Sequence, residues 1–294
     1  MRIFIAGATG FVGGHLVVEL LKRGHELVLL AHGMTGSPQE GASYLQGDVT
    51  EPESYRHAMK GCDAVINLVG IIREFPSRGI TFEQLHVEAT ESMVSSSQKA
   101  GVLRYLQMSA LGTRVDAVSG YHRTKWRAEE IVRGSGLAWT VFRPSLVFGP
   151  KDAFVNMLAG NLRLAPIMPV MGDGNYRIQP IHGNDVARCF ADALEKSETA
   201  GHTYELCGED RMTYNDLLDA IAEAMGRMKP FKPALPLSVM KPVIKALQRF
   251  SLFPITLDQL QMLLEENICN GCWRETFNFE PVPFKQGIKE YLGG

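Results

Sequence analysis

Cysteine is scarce in this sequence, and so are long apolar runs and any excess of charge of one sign. Five cysteines in 294 residues are too few for a disulfide framework. No apolar stretch approaches the roughly 18 residues of a membrane-spanning helix, and the start MRIFIAG has too short an apolar segment for a secretory signal. A net charge of -2 gives the whole chain no general attraction for nucleic acid. These absences predict a cytoplasmic globular protein that binds no nucleic acid.

Strand and helix patterns alternate through the first half of the chain. Apolar strands are predicted at 3–6, 26–30, 64–69, 104–108 and 139–143, and helices at 15–22, 55–60 and from Thr81 to the Gly101 stop. Such alternation predicts an α/β fold with a parallel, doubly wound, Rossmann-type sheet, here a domain of residues 1–150.

Helical patterns dominate after Pro150. They cover 153–162, 184–195, 214–225, 238–249 and 257–266, with a cluster of prolines at 230, 233, 236 and 242. We expect residues 151–294 to form a smaller, mostly helical C-terminal lobe for a substrate or partner. We expect helix 184–195 to return and pack on the sheet.

A glycine-rich loop joins the first strand to the first helix. It contains Gly7, Thr9, Gly10, Phe11, Val12 and Gly13. Its glycines suit a tight turn, close approach of a pyrophosphate and close helix–strand packing, and the helix N-terminus favours phosphate. A nicotinamide dinucleotide is therefore the expected ligand. A glycine-rich turn with no ligand is the alternative.

The end of the second strand bears on the choice between NAD(H) and NADP(H). It reads Leu30-Ala31-His32, without the carboxylate that would bind a ribose 2′-hydroxyl. His32 either assists binding of a 2′-phosphate or is a plain surface histidine. Asp48 and Val49 follow the third strand; Asp48 either meets the adenine or serves as an acid at a helix N-terminus. The pattern favours NADP(H) slightly over NAD(H).

Tyr121 and Lys125 lie four residues apart on a predicted helix and so share one face. A lysine cation near a tyrosine stabilises the phenolate, and a phenol that exchanges its proton can serve a substrate hydroxyl or carbonyl. The spacing predicts a catalytic pair. An aromatic and a lysine on an exposed helix face would give the same pattern.

Four segments occur in the order found in extended short-chain dehydrogenase/reductases: 7–13, 121–125, 143–150 (RPSLVFGP) and 180–187 (PIHGNDVA). The chain most resembles the atypical branch that contains the accessory subunit of mitochondrial complex I and bacterial NAD-dependent epimerase/dehydratases. The resemblance implies a Rossmann domain with a C-terminal lobe over the nicotinamide end. It also implies that Leu68, Val69, Gly70 and the segment from Pro144 to Val147 line the cofactor.

The sequence departs from that family at one catalytic position. Ser109 matches the first of two successive hydroxyl residues, but Ala110 stands at the second, and His86 lies near the place of an asparagine. Two functions therefore stay open. One is an oxidoreductase or epimerase-like enzyme acting on an unidentified hydroxyl, carbonyl or quinone-like substrate. The other is a dinucleotide-binding scaffold or assembly factor with little turnover.

Two further features have competing interpretations. Cys269 and Cys272 form a single C-x-x-C, which lacks the second pair that zinc needs and favours incidental thiols. His182 and Asp185 match a structural stretch of the family, with Asp185 as a helix anchor.

Segment 227–253 combines six cations between Arg227 and Arg249 with no acidic residue in that span. A helix from Ser238 would place Met240, Val243, Ile244 and Leu247 on one face, with Phe250, Leu252 and Phe253 beyond it. Either this face packs in the core and the cations are solvated or meet a substrate phosphate, or the segment docks on a membrane surface or a protein partner.

Overall fold

The computed structural model describes residues 1–33, 40–250, 253 and 255–293. The chain forms two compact units. The first unit contains Met1–Pro144, Gly183–Leu206 and Cys272–Asn278; the second contains Ser145–His182, Cys207–Gly271 and Phe279–Gly294.

The strands follow one another along the chain as β1 (Arg2–Ala6), β2 (Glu26–Ala31), β3 (Ala42–Gln46), β4 (Ala64–Asn67), β5 (Arg104–Met108), β6 (Ala138–Pro144), β7 (Val147–Phe148), β8 (Val170–Met171), β9 (Arg177–Ile178), β10 (Ile181–His182), β11 (His202–Leu206), β12 (Met212–Thr213) and β13 (Ala234–Leu235). The helices are α1 (Phe11–Lys22), α2 (Pro52–Tyr55), α3 (Ala89–Ala100), α4 (Gly120–Arg133), α5 (Ala153–Leu164), α6 (Gly183–Glu195), α7 (Tyr214–Ala224), α8 (Leu237–Leu247), α9 (Leu257–Leu264), α10 (Trp273–Phe277) and α11 (Phe284–Leu292). A π-helical turn, Glu83–Glu88, leads directly into α3.

The first unit is built on one parallel sheet. Among the described residues, seven strands pair in the order β3-β2-β1-β4-β5-β6-β11. This order confirms the predicted Rossmann-type, doubly wound class. The strand order reverses between β1 and β4, and ligands bind such sheets beyond the carboxyl ends of the strands at that point. One strand of this sheet was missed: β11 lies between predicted helices 184–195 and 214–225, and it pairs with β6 at the edge of the sheet.

Apolar strands pack against helices on both faces of this sheet. On one face, Phe4, Val65 and Tyr105 contact a core to which Met93 of α3 contributes. Elsewhere in the unit, α6 packs against α1, where a Cβ on Gly183 would lie 2.7 Å from the His15 ring. The absence of a side chain at Gly183 therefore sets how closely these two helices approach.

The second unit has its own core, built from α5, α7 and α11 around Phe148, Tyr176 and Phe284. A disulfide joins Cys207 to Cys269, 62 residues apart. This corrects the expectation that Cys269 is an incidental thiol paired in sequence only with Cys272. Cys272 is a free, exposed cysteine. The partner of Cys269 could not be identified from the sequence because pairing depends on where the fold brings distant residues.

Helix α8 buries little of the apolar face that the sequence predicted. Among the described residues of α8, only Ile244 is buried. Val243 and Leu247 are each 38% exposed, and Val239 is 56% exposed. Leu252, which was predicted to extend this apolar surface, lies outside the described residues. No described helix has the length and apolarity needed to cross a membrane.

Candidate functional site

The loop between β1 and α1 is shaped by its glycines. Gly7 has a φ of +82°, in the left-handed region that favours glycine. A Cβ on Gly13 would lie 2.3 Å from the carbonyl oxygen of Gly7 and 2.6 Å from that of Ala8, so no side chain fits at this position. Gly10 donates its N–H to the Gly7 oxygen at 3.1 Å, which closes the turn. The loop thus leaves a bare backbone surface at the reversal point of the sheet.

The N-terminus of α1 keeps its amide donors available for a ligand. Gly10 is the N-cap residue, and no side chain among the described residues caps the helix there. Thr9 and Gly10 are exposed, Phe11 is half-buried and Val12 is buried. A positive helix end with unsatisfied N–H groups suits a phosphate. A backbone cradle of this kind fits the pyrophosphate of a dinucleotide.

Two sequence-predicted residues meet beyond β2 and β3. The His32 Nδ1 atom lies 3.5 Å from the Asp48 Oδ2 atom, and the His32 side chain is 75% exposed. The other Asp48 oxygen accepts hydrogen bonds from the Thr50 N–H at 2.8 Å and the Thr50 hydroxyl at 2.7 Å. Asp48 therefore organises the turn that precedes α2. Val49 beside it is buried.

The segment after β4 is held by Lys125. The Lys125 Nζ donates to the carbonyl oxygens of Val69 at 3.0 Å and Met108 at 3.3 Å. A Cβ on Gly70 would lie 2.8 Å from this nitrogen, so glycine leaves the room that the ammonium occupies. Leu68 is buried, whereas Gly70 is exposed. Lys125 thus links the carboxyl ends of β4 and β5 to α4.

Asn67 and Gln107 form buried hydrogen bonds next to the Lys125 contacts, and neither residue was predicted as a site residue. The Asn67 amide donates to Gln107 Oε1 at 3.0 Å, and the Gln107 amide donates to the Met108 oxygen at 3.1 Å. The Asn67 Oδ1 accepts the Val69 N–H at 3.0 Å. A polar residue within an otherwise apolar strand, as in AVIN and RYLQM, was the available signal.

Tyr121 is enclosed by rings. Its ring makes edge contacts with His86 at a centroid distance of 5.4 Å and with Phe82 at 5.8 Å. His86 itself accepts the Ile71 N–H at 3.2 Å through Nε2, and its Nδ1 lies 2.9 Å from the Thr124 hydroxyl. Burial, reinforced by the Lys125 charge, lowers the pKa of His86 to about 2, so this imidazole is neutral. The π-helical turn places His86 here, a neighbourhood that the sequence identified without a role.

Burial governs the titration of the predicted catalytic pair. It raises the pKa of Tyr121 to about 12 and lowers the pKa of Lys125 to about 8, because each charged form loses hydration. Within the described residues, the Tyr121 hydroxyl forms no hydrogen bond with Lys125 or Ser109. The expected lowering of the tyrosine pKa by the lysine is therefore not found in the protein alone.

The remaining predicted site residues have mainly structural contacts. The Ser109 hydroxyl is buried and donates to the Thr113 hydroxyl at 3.3 Å. The Pro144 carbonyl accepts the Leu111 N–H at 2.9 Å. Val147 belongs to the second unit, where it pairs with Ile181 between β7 and β10. His182 is buried there, and Asp185 lies in the first turn of α6.

A buried ion pair fixes the helix that carries Tyr121 and Lys125. Glu129 is fully buried and accepts hydrogen bonds from Arg143 Nε at 2.8 Å and Nη2 at 2.7 Å. A second arginine, Arg133, contacts the same carboxylate from one turn further along α4. Because Arg143 lies on β6, this pair ties α4 to the sheet.

The sequence of this chain matches a known protein family over most of its length. Residues 3–207 match the model of the NAD dependent epimerase/dehydratase family. The chain belongs to this family. The match covers the glycine loop, the Tyr121–Lys125 helix and all seven strands of the parallel sheet.

Several relatives have names of NADH dehydrogenase or NADH-ubiquinone oxidoreductase subunits. The chain is 30% identical over 249 residues to the "NADH dehydrogenase [ubiquinone] 1 alpha subcomplex subunit 9, mitochondrial" of Arabidopsis thaliana, covering 81% of this chain and 61% of that protein. It is 23% identical over 260 residues to the "NADH-ubiquinone oxidoreductase 40 kDa subunit, mitochondrial" of Neurospora crassa, covering 85% and 67%. The chain thus spans about three-fifths of the Arabidopsis protein. These relatives confirm the branch predicted from the sequence.

The same relatives correct one expectation. Their names place them in mitochondria, which contradicts the cytoplasmic location predicted for this chain. That prediction was wrong because it rested on a short apolar start and the lack of long apolar runs, which do not distinguish a mitochondrial from a cytoplasmic protein.

Solved structures agree with the fold. A UDP-glucose 4-epimerase from Thermotoga maritima superposes with a TM-score of 0.77 at 20% identity, covering 99% of this chain and 97% of that one. A UDP-glucose 4-epimerase from Thermus thermophilus, solved with NAD, has a TM-score of 0.74 at 19% identity, covering 98% and 97%. At these identities the likeness supports the architecture alone.

Proposed function

We propose that this protein binds a nicotinamide dinucleotide as a structural ligand and acts as a scaffold or assembly subunit, with little turnover. One observation carries the proposal: the Lys125 ammonium is held by two backbone carbonyls, while nothing lowers the pKa of the Tyr121 phenol. The glycine loop keeps every feature needed to hold a pyrophosphate. A site that retains its binding surface without an activated acid–base group suits binding better than catalysis.

The first unit would hold the dinucleotide. The backbone of 7–13 would take the pyrophosphate, His32, Asp48 and Val49 would lie toward the adenosine, and Leu68 to Gly70 would lie toward the nicotinamide. Pro144 and Val147 are assigned to the cofactor by family resemblance. When bound, the nicotinamide supplies a hydride acceptor or donor. The second unit would serve a substrate or a protein partner.

We propose a modest preference for NADP(H). His32 follows β2 where a carboxylate would select the ribose 2′-hydroxyl of NAD(H), and Asp48 is already engaged by Thr50. The names of the relatives support a partner within a complex I-type assembly.

Titration of the protein with NADPH and NADH tests dinucleotide binding. The Gly10→Asp variant tests the role of the glycine loop, because Gly10 has a φ of -76°, which any residue adopts. We expect this variant to keep its circular dichroism spectrum and lose binding, since its carboxylate repels the pyrophosphate. Absence of binding in the wild type would refute the proposal, and tighter NADH binding would refute the preference.

A second candidate, an oxidoreductase, is favoured by the presence of Tyr121 and Lys125 on one helix. In that role Tyr121 would hold and release a proton at its hydroxyl, and Lys125 would stabilise the phenolate. Tyr121→Phe removes only the phenolic hydroxyl, so turnover of a carbonyl or quinone substrate should disappear while dinucleotide affinity stays unchanged. Turnover by the wild type that Tyr121→Phe abolishes would favour the enzyme over the scaffold.

A further inference from the structure

Helix α8 carries two exposed stripes of opposite character. Val239, Val243 and Leu247 recur every four residues along one side of the helix. Lys241 and Lys245 recur along the other side, with Arg249 continuing that line just beyond the helix end. Residues spaced by four lie above one another on a helix, and the two stripes flank the buried line through Ile244.

The protein leaves the apolar stripe only partly covered. The exposed fractions of its three side chains, 56%, 38% and 38%, are those of surface residues. Met228 and Phe231, in the segment before α8, are exposed as well. A cluster of exposed apolar side chains on a folded surface marks an interaction site more often than chance placement.

The segment of sequence that contains α8 carries charge of one sign over a long stretch. No aspartate or glutamate occurs between Glu223 and Asp258, whereas six lysines and arginines do. Two of these cations, Lys229 and Lys232, already pair with Asp219, and Arg227 donates to the carbonyls of Leu162 and Arg163. Lys241, Lys245 and Arg249 have no carboxylate partner among the described residues. They provide the positive charge that is available to a ligand.

We propose that α8 lies on an anionic lipid surface, with the Val239–Val243–Leu247 stripe inserted among the acyl chains and the three cations at the headgroups. Lysine and arginine side chains are long enough to reach the headgroups while their stems follow apolar surface. A helix of 11 residues is about 16 Å long, roughly half the hydrocarbon thickness of a bilayer, so it can lie in the interface and cannot cross it. A line of cations together with an apolar stripe on one helix fits acidic lipids, whose charge is spread over a plane.

The helix is also poorly stabilised by its own protein. Pro242 lies inside α8 and cannot donate a backbone hydrogen bond, and no described side chain caps the helix N-terminus. An interface that buries the apolar stripe would add the stabilisation that the second unit does not provide. This argument is independent of dinucleotide binding and of any turnover.

Flotation of the 294-residue chain with lipid vesicles tests the proposal. We expect co-flotation with vesicles of phosphatidylcholine mixed with phosphatidylglycerol, and none with pure phosphatidylcholine. Binding should be strong at about 0.05 M salt and weak at about 0.5 M, because salt screens charges at the headgroups. Lys241→Gln with Lys245→Gln should weaken binding about 25-fold, from roughly fivefold per cation.

Two further variants test whether vesicle binding depends on the position of the lysines and on the apolar stripe. Lys285→Gln with Lys289→Gln changes two exposed lysines with the same spacing on α11, and it should bind vesicles like the wild type. Val243→Ser with Leu247→Ser should weaken flotation at both salt concentrations, because it removes the inserted stripe. Each variant should keep the wild-type circular dichroism spectrum and NADPH affinity.

Three outcomes would overturn the proposal. They are no flotation of the wild type with anionic vesicles, equal flotation with neutral vesicles, and equal losses for the α8 and α11 lysine variants. In the first case α8 would be a surface for a protein partner, and cross-linking within a purified assembly would identify it.

Discussion

The Glu129–Arg143 pair offers a direct measurement of how burial changes the energy of one ion-pair geometry. Glu129 is fully buried, and Arg143 contacts both of its oxygens, at 2.8 and 2.7 Å. We predict that Glu129→Gln lowers the free energy of unfolding by about 3 kcal/mol, because it leaves two arginines without their carboxylate in a low-dielectric site. Arg143→Met should cost a similar amount, since it removes the main partner of a buried carboxylate.

The double variant, Glu129→Gln with Arg143→Met, should cost about 2 kcal/mol less than the sum of the single variants. The reason is that no uncompensated Arg143 charge remains when both partners are replaced. The side chains of the exposed pair Arg177–Glu266 provide a control with nearly identical geometry, 2.7 and 2.8 Å, but are 52% and 51% accessible to solvent. The same double-mutant cycle there should show a coupling too small to resolve, because water screens the pair.

Urea unfolding followed by circular dichroism measures both cycles. NADPH affinity measured on the same variants reports whether α4 has moved, since the Glu129 cycle should weaken binding and the Glu266 cycle should not. Equal coupling in the two cycles, or full additivity at Glu129, would refute the reasoning from burial.

Two further predictions concern Lys125 and the disulfide. The pKa of Lys125 is lowered from 10.5 to about 8 in the folded protein, so the unfolded chain binds one more proton between these pH values, and stability should rise by about 3 kcal/mol as pH increases from 8 to 10.5. Lys125→Met should lack this rise in urea unfolding at pH 7.5 and 10, and parallel pH curves for the two proteins would contradict it. Reduction of Cys207–Cys269, which closes a loop of 62 residues, should cost about 4 kcal/mol of stability. Thermal unfolding of Cys207→Ala should not respond to reductant, and an equal response in both proteins would exclude the disulfide as its cause.

The pattern of apolar residues predicted those strands and helices whose buried side chains recur at short, regular spacing in the sequence. β1, β2 and β4 are apolar on both faces, and their positions in the sequence were sufficient to predict the doubly wound class. β11 was missed because HTYEL is short and mixed, and its place depends on pairing with β6, more than fifty residues away in sequence. The Cys207–Cys269 pairing was missed for the same reason.

In the candidate site, too, sequence spacing predicted which residues share an element but not which distant residues contact them. The spacing of Tyr121 and Lys125 correctly placed both on one helix. Their chemistry depends on residues distant in sequence: Val69 and Met108 supply the oxygens that hold Lys125, and burial sets both pKa values. In α8, the periodicity found the amphipathic helix, but periodicity alone cannot tell whether an apolar stripe faces a core or the surface.

The composition of the first unit from three separate segments has a consequence for synthesis on the ribosome. Residues 1–144 supply six strands of the sheet, but the seventh strand and α6 arrive only with Gly183–Leu206, and α10 with Cys272–Asn278. The edge of β6 that pairs with β11 therefore stays unpaired while the first part of the second unit is translated. During that interval the nascent chain exposes an unpaired strand edge, which promotes aggregation. We expect chaperones to bind this edge until β11 pairs with it. Completion of the dinucleotide-binding unit is thus coupled to translation of almost the whole chain.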